Sequence, residues 1–200
     1  MLENFSFSGC MKFGEIDEVL HARCPRCQVD LNGEAQSNPR MLDCGHTMCH
    51  ACLEDLQHDG IIKCPQKACP QETVIPGGNI GSLRPNLVLI HPPLSRQELL
   101  NWTSDVILDA LGIMCPVCME GYSEIFTPTT LKCGHTLCLR CNQLLAKQGG
   151  LQCPECRVCL TPEDPPVKNL AIESAIPAIQ ALIRQMSSSN DQRRSSTFDQ

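Results

Sequence analysis

Apolar residues fall at helical spacing in three separate stretches, and each stretch lies beside a run rich in cysteine. Ile16, Val19 and Leu20 predict a short helix over residues 15–22, with His21 at its end as a last-turn cation or a solvated side chain rather than a ligand. Leu99, Trp102, Val106 and Leu111 predict a second helix over 96–111, opened by a Ser95–Glu98 capping box and closed at Gly112. Its stripe, which holds the only tryptophan, is either core against the cysteine-rich run that begins at Cys115 or a dimer surface. Leu170, Ile172, Ile176, Ile179, Leu182 and Ile183 predict a third helix from Asn169, its cap, to Met186; Pro177 inside it should kink or break it near Ser174. Between these stretches, Pro76 to Gly81 is turn-rich and Pro92–Pro93 forbids a continuing helix. The closing SSSNDQRRSSTFDQ is too polar to order by itself.

The cysteines change the picture. From Cys115 onward, seven cysteines and one histidine form four pairs: Cys115/Cys118, Cys133/His135, Cys138/Cys141 and Cys153/Cys156, separated by 14, 2 and 11 residues. A pair with two residues between its ligands can curl around one metal but leaves a tetrahedral ion half satisfied, so each knuckle needs a distant partner. Four pairs of soft ligands make two zinc sites. A second array precedes it: Cys24, Cys27, Cys44, His46, Cys49, Cys52, Cys64 and Cys69, with gaps of 16, 2 and 11. Its last pair encloses four residues, PQKA, instead of two, and His50 and His58 are spare candidates for that place. The repeat extends past the ligands. Ile16 and Leu20 correspond to Ile107 and Leu111 before the arrays, and Asn86-Leu87-Val88-Leu89 corresponds to Asn169-Leu170-Ala171-Ile172 after them.

This spacing resembles the RING finger, whose ligand pairs alternate between two metals. The resemblance implies that Cys115, Cys118, Cys138 and Cys141 share one zinc and Cys133, His135, Cys153 and Cys156 the other. In the first array it groups Cys24, Cys27, Cys49 and Cys52, then Cys44, His46, Cys64 and Cys69. The fold it implies is a small zinc-stabilised α+β fold: two cross-brace RING domains with flanking helices and a disordered tail. RING fingers dock a ubiquitin-conjugating enzyme charged with ubiquitin and have no nucleophile of their own, since closed zinc sites leave no open position. Carried onto this chain, Val117, Leu144 or Leu145, and Pro154 would form the docking groove, and Arg157 would be the linchpin cation between conjugating enzyme and ubiquitin. The first finger departs there: Arg26 replaces the aliphatic residue and Pro70 the linchpin, although Leu56 and Pro65 remain. It is therefore expected to stabilise, dimerise or bind another partner. Flanking helices are similar to those of the tripartite-motif ligases, but no B-box or long coiled coil is legible. RING-between-RING ligases add an intermediate zinc domain, whereas the stretch from Cys69 to Trp102 holds no further cysteine.

Composition supports metal in place of core, with only five Phe, one Tyr and one Trp in 200 residues. No leader-like start and no run of about 18 apolar residues is present, so the sixteen cysteines read as intracellular thiolates, cytoplasmic or nuclear, rather than disulfides. Cys10 and Cys159 are left as spare thiols. The formal charge of −6 falls to roughly −12 when four zinc sites fill, which opposes binding to phosphate backbones. Neither nucleic acid nor membrane is expected as a partner.

The expected organisation is a flexible start over 1–14, a first RING domain with its flanks over 15–90, and a linker and helix over 91–112. A second RING domain is expected over 113–160, then a helical segment over 161–186 and a tail over 187–200. The expected function is a RING-type ubiquitin-protein ligase acting mainly through the second finger on a protein substrate the sequence does not identify, with a homodimer through the flanking helices as one arrangement. The alternative is a noncatalytic zinc scaffold for protein contacts.

Overall fold

The computed structural model describes residues 22–90, 104–147 and 152–196. Residues 15–21 of the expected first helix, Cys10, and the Ser95–Glu98 cap with Leu99 and Trp102 lie outside the described residues.

Each finger is built around one hairpin, because a Cys-Gly-His turn reverses the chain between two three-residue strands. In the first, β1 (Pro39–Met41) pairs antiparallel with β2 (Thr47–Cys49), Met41 opposite Thr47. Gly45 makes the turn at a φ of 87°, left-handed space that glycine enters without strain. Helix α1 (His50–Leu56) starts directly from β2, with the Cys49 sulfur accepting the Cys52 N–H at 3.4 Å. A second hairpin, β3 (Ile61–Lys63) with β4 (Glu72–Val74), carries the last ligand pair between its strands. Leu42, Met48, Leu53, Ile62, Ile75 and Ile80 bury beneath it.

The second finger repeats this plan. Helix α2 (Ser104–Ala110) leads in; β5 (Pro128–Thr130) and β6 (Thr136–Cys138) form the hairpin around Gly134, and α3 (Leu139–Lys147) comes next. Strand β7 (Val167–Lys168) joins the outer edge of β5, giving the order β6-β5-β7, before the long helix α4 (Leu170–Ser196). Residues 84–86 do the same beside β1: Met41 N–H donates to the Arg84 carbonyl at 2.8 Å and Asn86 N–H to that of Pro39 at 3.0 Å. The result is a small α+β protein with two cores, the second formed by Ile107, Leu111, Ile113, Leu131 and Leu137 with Ile172, Ile176 and Ile179 of α4.

Three expectations are corrected. The buried face of α2 is centred on Ile107 and Leu111, four residues apart, so Val106, about 100° round the helix, stays 45% exposed. Helix α4 runs on through Pro177 without a break near Ser174. Pro177 lies on the exposed face, while Ile172, Ile176 and Ile179 pack into the core on either side of it, so tertiary packing outweighs the one donor that proline removes. The same helix continues past Met186 to Ser196, into the stretch expected to be tail, which holds no Gly or Pro to stop it. None of the helices among the described residues is long and apolar enough to cross a membrane.

The fingers pack on one another through the segments that trail them. Asn86 and Asn169, both fully buried, exchange amide hydrogen bonds: Asn86 Nδ2 donates to Asn169 Oδ1 at 3.2 Å and Asn169 Nδ2 to Asn86 Oδ1 at 2.9 Å. Each also donates to a threonine hydroxyl of its own finger, Thr47 or Thr130. Arg84 reaches from the first finger to the carbonyls of Thr130 and Pro165 at 2.8 and 3.0 Å. The contacts cross. A Cβ on Gly134 would lie 2.7 Å from Pro85 Cγ and 2.9 Å from Leu87 Cγ, and one on Gly45 would run into the Lys168 carbonyl.

Candidate metal centres

Eight ligand pairs bring sixteen side chains into four tetrads: Cys24, Cys27, Cys49 and Cys52; Cys44, His46, Cys64 and Cys69; Cys115, Cys118, Cys138 and Cys141; and Cys133, His135, Cys153 and Cys156. In each tetrad all ligand atoms lie within 4.8 Å of one another. The first pair meets the third and the second meets the fourth, which is the cross-brace. Cys69 closes the second tetrad despite its longer loop, whereas His50 turns away to Glu54, 3.3 Å from its Nε2.

The spacing fits zinc. A tetrahedral ion with Zn–S bonds of about 2.3 Å holds its sulfurs about 3.8 Å apart, and slightly less for a sulfur and a ring nitrogen. Cys27 and Cys49 are 3.6 Å apart and Cys118 and Cys138 3.8 Å. His46 Nδ1 stands 3.3 Å from Cys44 Sγ and 3.4 Å from Cys64 Sγ, and His135 Nδ1 is 3.5 Å from Cys133 Sγ. Both histidines present the same nitrogen, as the repeat requires.

Electrostatics points the same way. Burial works against the Cys24 thiolate, but backbone N–H groups of Cys49, Cys27 and Arg26 outweigh it and bring the thiol down to about 7. Cys115 is lowered for the same reasons, with Cys138 N–H 3.4 Å from its sulfur. Burial and then the crowding thiols push Cys49 and Cys141 up, and burial with Cys64 or Cys153 alongside pushes Cys44 and Cys133 up to about 12. Thiolates crowded in this way are stabilised by a shared cation, and these four Cys/His clusters could hold one zinc each.

Of the four ligand pairs that open and close the two arrays, three share a backbone device. The residue after the second cysteine adopts a left-handed φ, 62° at Gln28, 59° at Met119 and 59° at Arg157, and returns its N–H to the first cysteine's carbonyl at 2.8–2.9 Å. In the fourth, that position is Pro70, whose ring fixes φ near −65° and which has no N–H to return. The PQKA loop turns instead through Cys69 N–H to the Gln66 carbonyl at 2.8 Å. The longer loop and Pro70 are legible in the sequence, but the Cys69–Gln66 turn shows only in the structure.

The surfaces around the knuckles differ between fingers. On the second, Val117 and Leu144 are 43% and 47% exposed, with Pro154 and Arg157 also exposed; Leu145 turns partly into the core. On the first, Arg26 and Asp55 occupy the positions of Val117 and Leu144. They pair with each other: Arg26 Nη1 donates to Asp55 Oδ2 at 3.1 Å and to the Cys52 carbonyl at 3.3 Å. Arg26 stands out in the sequence, but Asp55 does so only when the arrays are aligned from Cys52 and Cys141. Asn169 is the helix cap its position predicts, its Oδ1 accepting Ile172 N–H at 3.1 Å, and its amide also locks the two fingers together.

A family model described as RING-type zinc-finger matches residues 24–65 and 115–154. The chain is 39% identical over 70 residues to E3 ubiquitin-protein ligase trim-21 of Caenorhabditis elegans, covering 34% of this chain and 23% of that protein. It is 33% identical over 122 residues to RING finger protein 207 of Homo sapiens, covering 59% and 16%. Against E3 ubiquitin-protein ligase TRIM32 of Homo sapiens it is 45% identical over 58 residues, covering 26% and 9%. The chain therefore spans less than a quarter of the length of each of these relatives. Cross-braced tetrads, matched family regions and these relatives together make this a tandem RING-finger protein that resembles the tripartite-motif ligases over its fingers.

Proposed function

We propose that the chain is a RING-type ubiquitin-protein ligase that docks a ubiquitin-conjugating enzyme mainly on its second finger and promotes direct transfer of ubiquitin to a substrate lysine. The observation that carries this reading is the contrast between the two surfaces. Val117, Leu144 and Pro154 are apolar and exposed on the second finger, where Arg26 and Asp55 hold the positions of Val117 and Leu144 on the first as an ion pair. That pair is solvent-exposed and adds little stability. Its effect is to put charge where an apolar partner would have to be desolvated. Relatives named as E3 ubiquitin-protein ligases support the same class of activity.

In this mechanism the zincs supply fold and no reacting atom, held by the four tetrads. Val117 and Leu144 bind the conjugating enzyme, and Leu145 supports the groove from beneath. Arg157 extends its fork of donors from the rim of the last knuckle to contact conjugating enzyme and ubiquitin together, which a lysine does less well. The substrate amine attacks the thioester carbonyl, the thiolate leaves, and the amine proton passes to solvent or to a base of the conjugating enzyme. Acceleration comes from restricting ubiquitin to a reactive pose.

The test is a ubiquitination assay of zinc-loaded chain over a panel of conjugating enzymes, with Val117→Ala and Arg157→Ala. Chains that form with the wild type and fade with both variants support the ligase reading. Silence across the panel from protein holding four zincs overturns it in favour of a noncatalytic scaffold.

A further inference from the structure

We infer that the first finger is a built-in positioning partner of the second: Pro85 and Leu87, registered by the Asn86–Asn169 pair, brace the turn at Gly134 and through the zinc site it belongs to hold Arg157 in place. The inference rests on the ligase reading for its consequence, but its structural core does not.

Gly134 sits between Cys133 and His135, two ligands of the tetrad completed by Cys153 and Cys156. Its φ of 95° and the approach of Pro85 Cγ, Pro85 O and Leu87 Cγ leave no room for even a methyl group. The first finger thus touches this tetrad at its turn. Arg157 comes directly after Cys156, and its N–H closes the knuckle on the Cys153 carbonyl at 2.8 Å. A metal shared by Cys133, His135, Cys153 and Cys156 makes the braced turn and the Arg157 knuckle one rigid body. Val117 belongs to the other tetrad, between Cys115 and Cys118. Bracing should therefore act on the linchpin more than on the docking groove.

Two further observations suit this division. The register cannot slip, because Asn86 and Asn169 are fully buried and displacement would strand their amides without partners. Arg84, bonded to the Thr130 and Pro165 carbonyls, ties the same segment to the second finger on the other side of Asn86. The first finger keeps this interface while its groove carries Arg26 and Asp55. Its contribution is support, made within one chain.

The test uses the full chain, zinc-loaded, with Leu87→Ala at the half-buried brace and, separately, Asn86→Ala, which removes the register pair. Amide hydrogen exchange is read at Cys153 and Arg157, in the last knuckle, and at Cys115 and Met119, in the first knuckle of the same finger. We expect exchange at Cys153 and Arg157 to speed on the order of tenfold with Cys115 and Met119 unmoved, and zinc retained. Single-turnover discharge of ubiquitin should fall by up to about tenfold at saturating conjugating enzyme, without loss of affinity for that enzyme. In an Arg157→Ala background, Leu87→Ala should add no further loss. Equal exchange at both knuckles, no change at either, zinc release from both variants, or losses that simply multiply would overturn the inference. A wild type that discharges no ubiquitin would instead remove the ligase reading, and the exchange data would still judge the brace.

Discussion

Arg157 shows how one backbone position can carry two demands. The knuckle needs a left-handed φ there, 59°, which a non-glycine residue adopts at a cost of about 1 kcal/mol. Glycine would suit the turn better, and the proposed function needs a guanidinium. Arg157→Gly should therefore leave zinc content at four and stability equal or up to about 1 kcal/mol higher, as read by denaturant titration, while ubiquitin discharge falls. Stability and activity moving in opposite directions marks the residue as functional. Asn86→Ala makes the converse case. It strips Asn169 of a buried partner and should destabilise the chain by about 1–3 kcal/mol in the same titration.

At the scale of elements, the ligand pairs were legible because a pair writes its geometry into its spacing, while the grouping of pairs into tetrads came from the resemblance to the RING finger. Cys133-Gly-His135 and the two-residue knuckles name their own turns, and the repeat matched Ile107 and Leu111, which the structure buries, to Ile16 and Leu20. What escaped depends on packing between elements. Nothing local distinguishes Asn169 as a helix cap from Asn169 as half of a buried pair, and nothing local says that α4 will ignore Pro177. Periodicity alone set the stripe through Val106 when contact with the core set it one residue further on. Pro177 offers a test of that packing argument. It is exposed, so Pro177→Ala disturbs no buried contact and restores a donor to the Glu173 carbonyl. We expect stability to rise by about 1–3 kcal/mol, seen as a higher thermal midpoint with equal or greater helical circular dichroism.

For the whole molecule, two small cores and four metal sites share one interface. Metal therefore acts as core: a strong chelator should remove about four zincs per chain, one for each tetrad, with loss of secondary structure in both fingers. Return of zinc should restore it under reducing conditions. Under the proposed function the asymmetry between fingers decides where a partner docks, since Val117 and Leu144 are exposed and apolar on the second finger where Arg26 and Asp55 carry charge on the first. The most direct measurement is single-turnover discharge of a charged conjugating enzyme by the full chain carrying Val117→Asp or, separately, Arg26→Asp. The account predicts that Val117→Asp reduces discharge to background while Arg26→Asp stays within about twofold of wild type, because a rim charge on a non-docking face changes little. Loss of discharge with Arg26→Asp and its survival with Val117→Asp would contradict it.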